Sequence, residues 1–262
     1  MKAKYDSIGI QYNQTRKADK FLVGRLAYYL APEKDGIYLD IGCGTGNYTI
    51  ALQAVNGKFT GVDPSEEMIK KARSGNQDID WQLGTAEQTG FPSDWFDGVI
   101  ASLTIHHWTN LETAFVEMAR VMKRGAKMVI FTSTPEQMKG YWLNHYFPEM
   151  LVDSMRQMPS SQTVRNSLKQ AGLKIVTKEP YHIKPDLQDL FLYSGKFDPE
   201  LYFKPEVRSG ISSFADLANA EEVAKGLEKL RQDIESHEFT QVAKSFENKL
   251  GDYLFIVAEK PV

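Results

Sequence analysis

From residue 37 to residue 177, short apolar runs alternate with longer stretches in which apolar residues recur every three to four positions. Ile37, Leu39 and Ile41 suit a buried parallel strand, and Tyr48, Ile50, Leu52 and Val55 suit the helix after it. The same reading predicts strands at 58–63, 80–83, 98–102, 127–132 and 173–177, with a last strand at 251–258. A helix over 18–30, carrying Phe21, Leu22, Leu26, Tyr29 and Leu30, precedes the first strand. Pro64, Ser65, Glu66 and Glu67 open another helix, with acids where the helix dipole favours them. Thr109 to Glu112 reads as a capping box. The helix it starts buries Leu111, Ala114, Phe115, Met118, Val121 and Met122, and Arg124 with Gly125 ends it. Ser161 to Ala171 forms one more helix, closed by Gly172. Alternation of this kind argues an α/β sheet with helices on both faces.

Two stretches break the rhythm. Between Pro135 and Pro159, Tyr141, Trp142, His145, Tyr146, Phe147 and several methionines crowd a short segment. From Glu179 to Lys249 a long excursion separates the sixth strand from the last, with Phe191, Tyr193, Phe197, Tyr202 and Phe203 upstream of a helix that Asn219 and Glu222 cap. These aromatics suit a small satellite core, or a cap over the strand ends that forms an apolar pocket.

Composition narrows the function classes. The chain has 262 residues, 42% of them hydrophobic and 25% charged, with a net charge of −3. No global positive field calls for nucleic acid or an anionic membrane. No apolar run nears the ~20 residues that span a bilayer, and no secretory leader is recognisable. Cys43 is the only cysteine, which rules out an intrachain disulfide. A cytoplasmic protein of open oligomeric state is the expectation.

The most specific chemistry lies between Asp40 and Gly46. Gly42, Gly44 and Gly46 alternate after the first strand, so the chain turns sharply and a ligand approaches without meeting a Cβ. The dinucleotide fingerprint G-x-G-x-x-G would need a glycine where Asn47 stands. Asp40 would repel a pyrophosphate and attract an ammonium or sulfonium. Asp63, ending the second strand, matches the two vicinal hydroxyls of a ribose in either kind of adenosine cofactor.

The run from Leu39 through Gly46 resembles the first motif of class I S-adenosylmethionine-dependent methyltransferases, in particular the ubiquinone/menaquinone-biosynthesis-like small-molecule group. The resemblance covers roughly Tyr5 to Leu173 plus the last strand. It implies a Rossmann-like, doubly wound seven-stranded sheet of order 3-2-1-4-5-7-6, with strand seven antiparallel and a mainly helical cap inserted before it. A cofactor domain would then comprise 1–178 and 251–262, and the cap 135–160 and 179–250.

The resemblance further implies S-adenosylmethionine as cofactor. Tyr12 and Arg16 would lie near its carboxylate and Asp40, Gly42 and Gly44 at its methionyl end. Asp63, Pro64 and Met68 would lie along the ribose and purine, Thr85, Ala86 and Glu87 at the adenine edge, and Ser102 would close the site. Thr85 stands where relatives carry an aspartate. Met68 also suits ordinary core packing, and Glu87 suits a helix start at the surface. His106 and His107, just past the fourth strand, are candidates for removing a proton from the acceptor, as is His145. One of the pair could instead cap the following helix. Tyr141, Trp142, His145 and Tyr146 are candidates for holding a small, partly apolar acceptor. No metal site is expected, since the histidines are scattered and the adjacent pair is poorly placed to share an ion. A non-catalytic cofactor-binding protein and an NAD-dependent oxidoreductase are the alternatives.

Overall fold

The structure, a computed structural model, describes residues 15–262. Asp19 accepts from the Leu22 N–H at 3.0 Å and so caps α1 (Lys20–Leu30). The alternating unit follows as β1 (Ile37–Ile41), α2 (Asn47–Val55), β2 (Lys58–Asp63), α3 (Glu66–Gly75), β3 (Asp80–Leu83), β4 (Phe96–Ser102), α4 (Leu111–Val121) and β5 (Met122–Thr132). Short helices α5 (Pro135–Met138) and α6 (Leu143–Tyr146) then lead to α7 (Pro148–Gln157), α8 (Ser161–Gln170) and β6 (Lys174–Tyr181). The long excursion holds α9 (Pro205–Ser209), α10 (Ala220–Glu235) and α11 (Phe239–Ser245) before β7 (Tyr253–Glu259). The seven strands hydrogen-bond in the order β3-β2-β1-β4-β5-β7-β6. β7 runs antiparallel to both neighbours and every other pair is parallel. The expected topology is therefore present in full.

Side chains alternate between two cores, as the period of a strand requires. Leu39, Ile41, Val99, Ala101, Met128 and Ile130 face α4 and α8, whose Phe115, Met118, Val164 and Leu168 complete that layer. Tyr38, Ile100, Val129 and Phe131 face the other way, toward Leu22 and Leu26 of α1 and Leu52 of α2. The excursion aromatics Tyr141, Trp142, Phe147, Phe191, Tyr193 and Tyr202 belong to this same second core. They are not a satellite. Tyr141 stacks on Tyr193 at 4.0 Å between ring centres, and Phe191 meets Tyr253 of β7 edge-on at 4.7 Å, so the cap and the sheet share one apolar layer.

Local details correct two boundary expectations. The helix expected to end at Arg124 and Gly125 ends at Val121, because Met122 is already extended and pairs with Phe96 of β4. Gly125, at φ +77°, marks instead a bend where its N–H reaches the Lys260 carbonyl. The capping residue of α4 is Asn110, whose side chain accepts from the Thr113 N–H at 2.9 Å. The acid that completes that cap comes from Glu87, which accepts from the Asn110 N–H at 3.0 Å. Asn219 caps α10 as expected, at 2.7 Å from the Glu222 N–H. Glu222 itself turns outward to accept from the first N–H groups of α7, at Glu149 and Met150, which ties the two parts of the cap together.

Candidate active site

The strand order reverses between β1 and β4, so a crevice opens beyond their C-terminal ends. A partly open cavity lies there, at the place in such a sheet where ligands bind. Its walls are the turn Gly42–Thr45 after β1, Asp63 ending β2, Met68 of α3, Ser102–Thr104 after β4, and Arg16, Lys17 and Asp189. The three glycines have three different reasons. A Cβ on Gly42 would stand 1.9 Å from the Thr104 hydroxyl, and one on Gly46 would stand 2.3 Å from the Trp81 ring. Gly44, at φ +56°, has nothing within 4 Å of its absent Cβ. Gly44 therefore keeps an open backbone in a left-handed conformation at the cavity wall, whereas Gly42 and Gly46 make room for the protein itself.

Asp63 is fixed rather than free. Its Oδ2 accepts from the Gly44 N–H and its Oδ1 from the Ser65 N–H, both at 2.9 Å. Asp40 lies behind the turn and does not line the cavity. It is 2% exposed and accepts from the Thr49 hydroxyl at 2.6 Å. Burial pushes its carboxyl up to about 7; the Thr49 hydroxyl opposes this and nearby Asp63 adds to it. Asp40 does not border the cavity because the glycine turn covers the end of β1.

Arg16 crosses the mouth of the crevice. Its Nε donates to Asp189 Oδ1 at 2.5 Å, and Tyr48 of α2 donates to the other oxygen at 3.1 Å. Asn47 Nδ2 donates to the Arg16 carbonyl at 2.8 Å, and the Leu190 N–H to the Thr15 carbonyl at 3.0 Å. The leading segment is thereby stitched to both the glycine-turn helix and the long excursion. Asp189 was not visible as a site residue, since it stands 173 positions from its partner and belongs to no local motif.

A second cavity adjoins the first through Arg16, Leu103 and His107. Cap residues supply most of its wall, among them Met138, Tyr141, Ser154, Met158, Phe191 and Ile211. Leu103 sits between the two cavities at φ +52°, held by a 2.7 Å bond from its N–H to the Phe131 carbonyl. A leucine in that conformation is strained by about 1 kcal/mol or more, which is typical of sites that need an exact backbone path. His106 and His107 form a 3-10 turn with Ile105, their rings 3.8 Å apart. Both line the second cavity and His107 lines the first as well.

Of the four expected acceptor residues, Tyr141 alone lines this cavity. Its hydroxyl donates to the Asp252 carbonyl at 2.5 Å beside Ser133. Trp142 turns to the outer side of the cap, where its Nε1 donates to the Lys196 carbonyl at 3.2 Å. Tyr146 donates to Asp233 of α10 at 2.9 Å, and His145 approaches the same carboxylate at 3.8 Å. Burial, together with Lys229, lowers the His145 pKa despite Asp233. One helical turn of α6 carries these residues away from Tyr141, because the cap must pack α10 against the same segment. Of the expected cofactor residues, Arg16, Gly42, Gly44, Asp63, Met68 and Ser102 line the first cavity, and Pro64, Thr85, Ala86 and Glu87 do not. Ala86 is buried in the apolar layer and Glu87 serves the start of α4. Tyr5, Asp6 and Tyr12 lie outside the described residues. Among the described residues no three His, Cys, Asp or Glu side chains gather as a metal set, and no helix is long and apolar enough to cross a membrane.

The first cavity fits an adenosine cofactor by its acceptors and its open backbone. Asp63 presents two anchored acceptor oxygens, Met68 a thioether at 2% exposure, and Gly44 an open backbone. Comparisons with known proteins agree. A methyltransferase domain family matches residues 39–130. The chain is 34% identical to a protein of Anabaena variabilis described as a candidate methyltransferase from an antibiotic biosynthesis pathway, with a TM-score of 0.82 over 93% of this chain and 98% of that one. It is 27% identical over 175 residues to the ubiquinone/menaquinone biosynthesis C-methyltransferase UbiE of Rubrivivax gelatinosus, covering 58% of this chain and 68% of that protein. It is 32% identical to the methyltransferase YcgJ of Bacillus subtilis, described as uncharacterized, over 42% of this chain and 41% of that protein's length. The chain belongs to the S-adenosylmethionine-dependent methyltransferases, and is an enzyme with S-adenosylmethionine as its cofactor.

Proposed function

We propose that the chain transfers a methyl group to a small, partly apolar acceptor held in the second cavity. The observation that carries this reading is the shared wall: Arg16, Leu103 and His107 border both cavities, so an acceptor in one faces a cofactor in the other. In this reading Asp63 takes the ribose hydroxyls, Met68 covers the purine, Gly44 admits the methionyl end, and Arg16 turns toward its carboxylate. Ser102 closes the site beside the turn. Asp40 acts from behind through its charge. The cofactor supplies an electrophilic sulfonium methyl and leaves as a neutral thioether, while the acceptor gives up a proton.

Little chemical activation is required of the protein, so its task is in-line positioning and exclusion of water. The cap provides both, with Leu103 fixing the path between the cavities. In this reading His107, which borders both cavities, takes the acceptor's proton, and His106 is the next candidate. The printed role of the UbiE relative, C-methylation in quinone biosynthesis, supports a ring acceptor without naming this one.

Calorimetric titration with S-adenosylhomocysteine and with NAD tests the cofactor half of the proposal. Binding of the first and not the second is expected, and the reverse would sink it. A screen of phenolic, amine, thiol and carboxylate acceptors for cofactor turnover tests the other half. Failure across the whole panel would favour a non-catalytic binding protein. With any productive acceptor, single-turnover rates of His107→Ala and His106→Ala assign the base, and two unchanged rates would remove it.

A further inference from the structure

The acceptor cavity has a near side and a far side. Arg16, Leu103 and His107 form the near side, since they also border the cofactor cavity. Ser154 and Gln157 of α7 and the segment Ile211–Ser213 touch the acceptor cavity and not the cofactor cavity, and in this reading they make up its far side. Arg16 is the one Lys or Arg among the described residues lining this cavity, and no Asp or Glu lines it. The far side is thus built from apolar groups, hydroxyls and an amide, with no charge.

Ser154 is the anomaly on that wall. Its side chain is 4% exposed and its Oγ has no hydrogen-bond partner. A serine inside a helix ordinarily turns its hydroxyl to the carbonyl four residues back. Ser154 makes no such bond to Met150. A buried hydroxyl left unpaired costs stability, and serine is also a poorer helix former than alanine. Both costs fall on a position where alanine would fit the burial pattern of Met150, Leu151 and Ser154. Buried polar groups without partners point to a ligand that completes them.

Resting on the reading of this cavity as the acceptor site, we infer that Ser154 is a specificity-determining residue. Its hydroxyl bonds a hydroxyl or carbonyl oxygen on the end of an uncharged acceptor that faces away from the cofactor. A phosphorylated acceptor is disfavoured, because its far end would be desolvated against neutral groups while the one guanidinium, already paired with Asp189, lies on the near side. Recognition by a single buried hydroxyl discriminates chiefly against analogues that lack the partner, since they leave the serine unpaired.

The test uses the full chain saturated with S-adenosylhomocysteine and three probes: naphthol, a naphthalenediol with its hydroxyls on opposite rings, and naphthyl phosphate. For the native chain the diol should bind about fivefold more tightly than naphthol, the size of one neutral hydrogen bond. In Ser154→Ala that preference should vanish with naphthol binding unchanged, and naphthyl phosphate should bind more weakly than naphthol to both. Without any probe, Ser154→Ala should melt at the same temperature as the native chain or higher. A clearly lower melting temperature would mean the hydroxyl is structural, and would overturn the inference. So would a diol preference that survives in the variant, a preference for the phosphate, or no binding of any ring compound. Turnover of an acceptor that carries a hydroxyl or carbonyl at its far end, with an unaltered KM in Ser154→Ala, would overturn this inference alone. Absence of S-adenosylhomocysteine binding would instead bring down the methyl-transfer reading itself.

Discussion

Replacing Asp40 with asparagine removes a carboxyl that the fold holds at the edge of ionisation. Asp40 lies one residue before the end of β1 at 2% exposure, and its pKa is pushed from 3.8 up to about 7, burial being the largest cause. The folded state therefore holds this proton more tightly than the unfolded chain does. The stability it contributes is fully present below pH 3.8 and is lost as pH rises through about 7. A rise from 3.8 to about 7 corresponds to about 4 kcal/mol across that window. Asparagine keeps an acceptor for the Thr49 hydroxyl and carries no charge at any pH. Urea unfolding of Asp40→Asn and of the native chain, from pH 4 to pH 8.5, should therefore give curves that nearly meet at the acid end. They should then diverge to a plateau of about 4 kcal/mol in favour of the variant above pH 7. Because the two proteins share every other titrating group, their difference isolates Asp40. A cationic cofactor stabilises the carboxylate, so the same substitution should weaken S-adenosylmethionine binding most at high pH. Parallel stability curves would refute the reasoning.

Two further substitution sets probe the site. Gly46→Ala would drive a Cβ to 2.3 Å from Trp81 at φ +79° and should cost about 3 kcal/mol or more of stability, read by urea unfolding. Gly44→Ala, with open space at φ +56°, should cost only about 1 kcal/mol in the same assay yet abolish S-adenosylhomocysteine binding in calorimetry. Equal stability losses would contradict the division of labour among the glycines. Asp189→Ala strips the Arg16 pair, whose side chains are 15% and 1% exposed, and should destabilise the chain by about 3 kcal/mol. A melting temperature within a degree of the native value would show that this latch contributes nothing to the fold.

Much of this protein is legible from local pattern. A strand in a covered parallel sheet is a short apolar run, and Ile37, Leu39 and Ile41 or Val99, Ile100 and Ala101 announce themselves without a partner in view. Caps are equally local, and Ser65 and Asn219 bond N–H groups three residues on. The turn Gly42–Gly46 carries its chemistry in its own residue types. It therefore pointed to the family and, through the family, to the strand order.

Contacts between distant parts of the chain decided the rest. The sequence marks Arg16 but cannot show that Asp189 meets it, because an ion pair across 173 positions exists only once the sheet and cap have closed. Aromatic content marks the segment 141–146, yet Tyr141 lines the second cavity while Trp142 bonds the Lys196 carbonyl and His145 and Tyr146 turn toward Asp233 of α10. Three alternating glycines look equivalent until Thr104 and Trp81 arrive beside two of them. Ser154 gives no signal at all in sequence, and its unpaired hydroxyl becomes visible only within the walls that surround it. Residue type and spacing determine what a segment tends to form and which chemistry it can offer. Which of those groups meet is set by the packing of elements far apart in the chain, and tertiary structure alone supplies that.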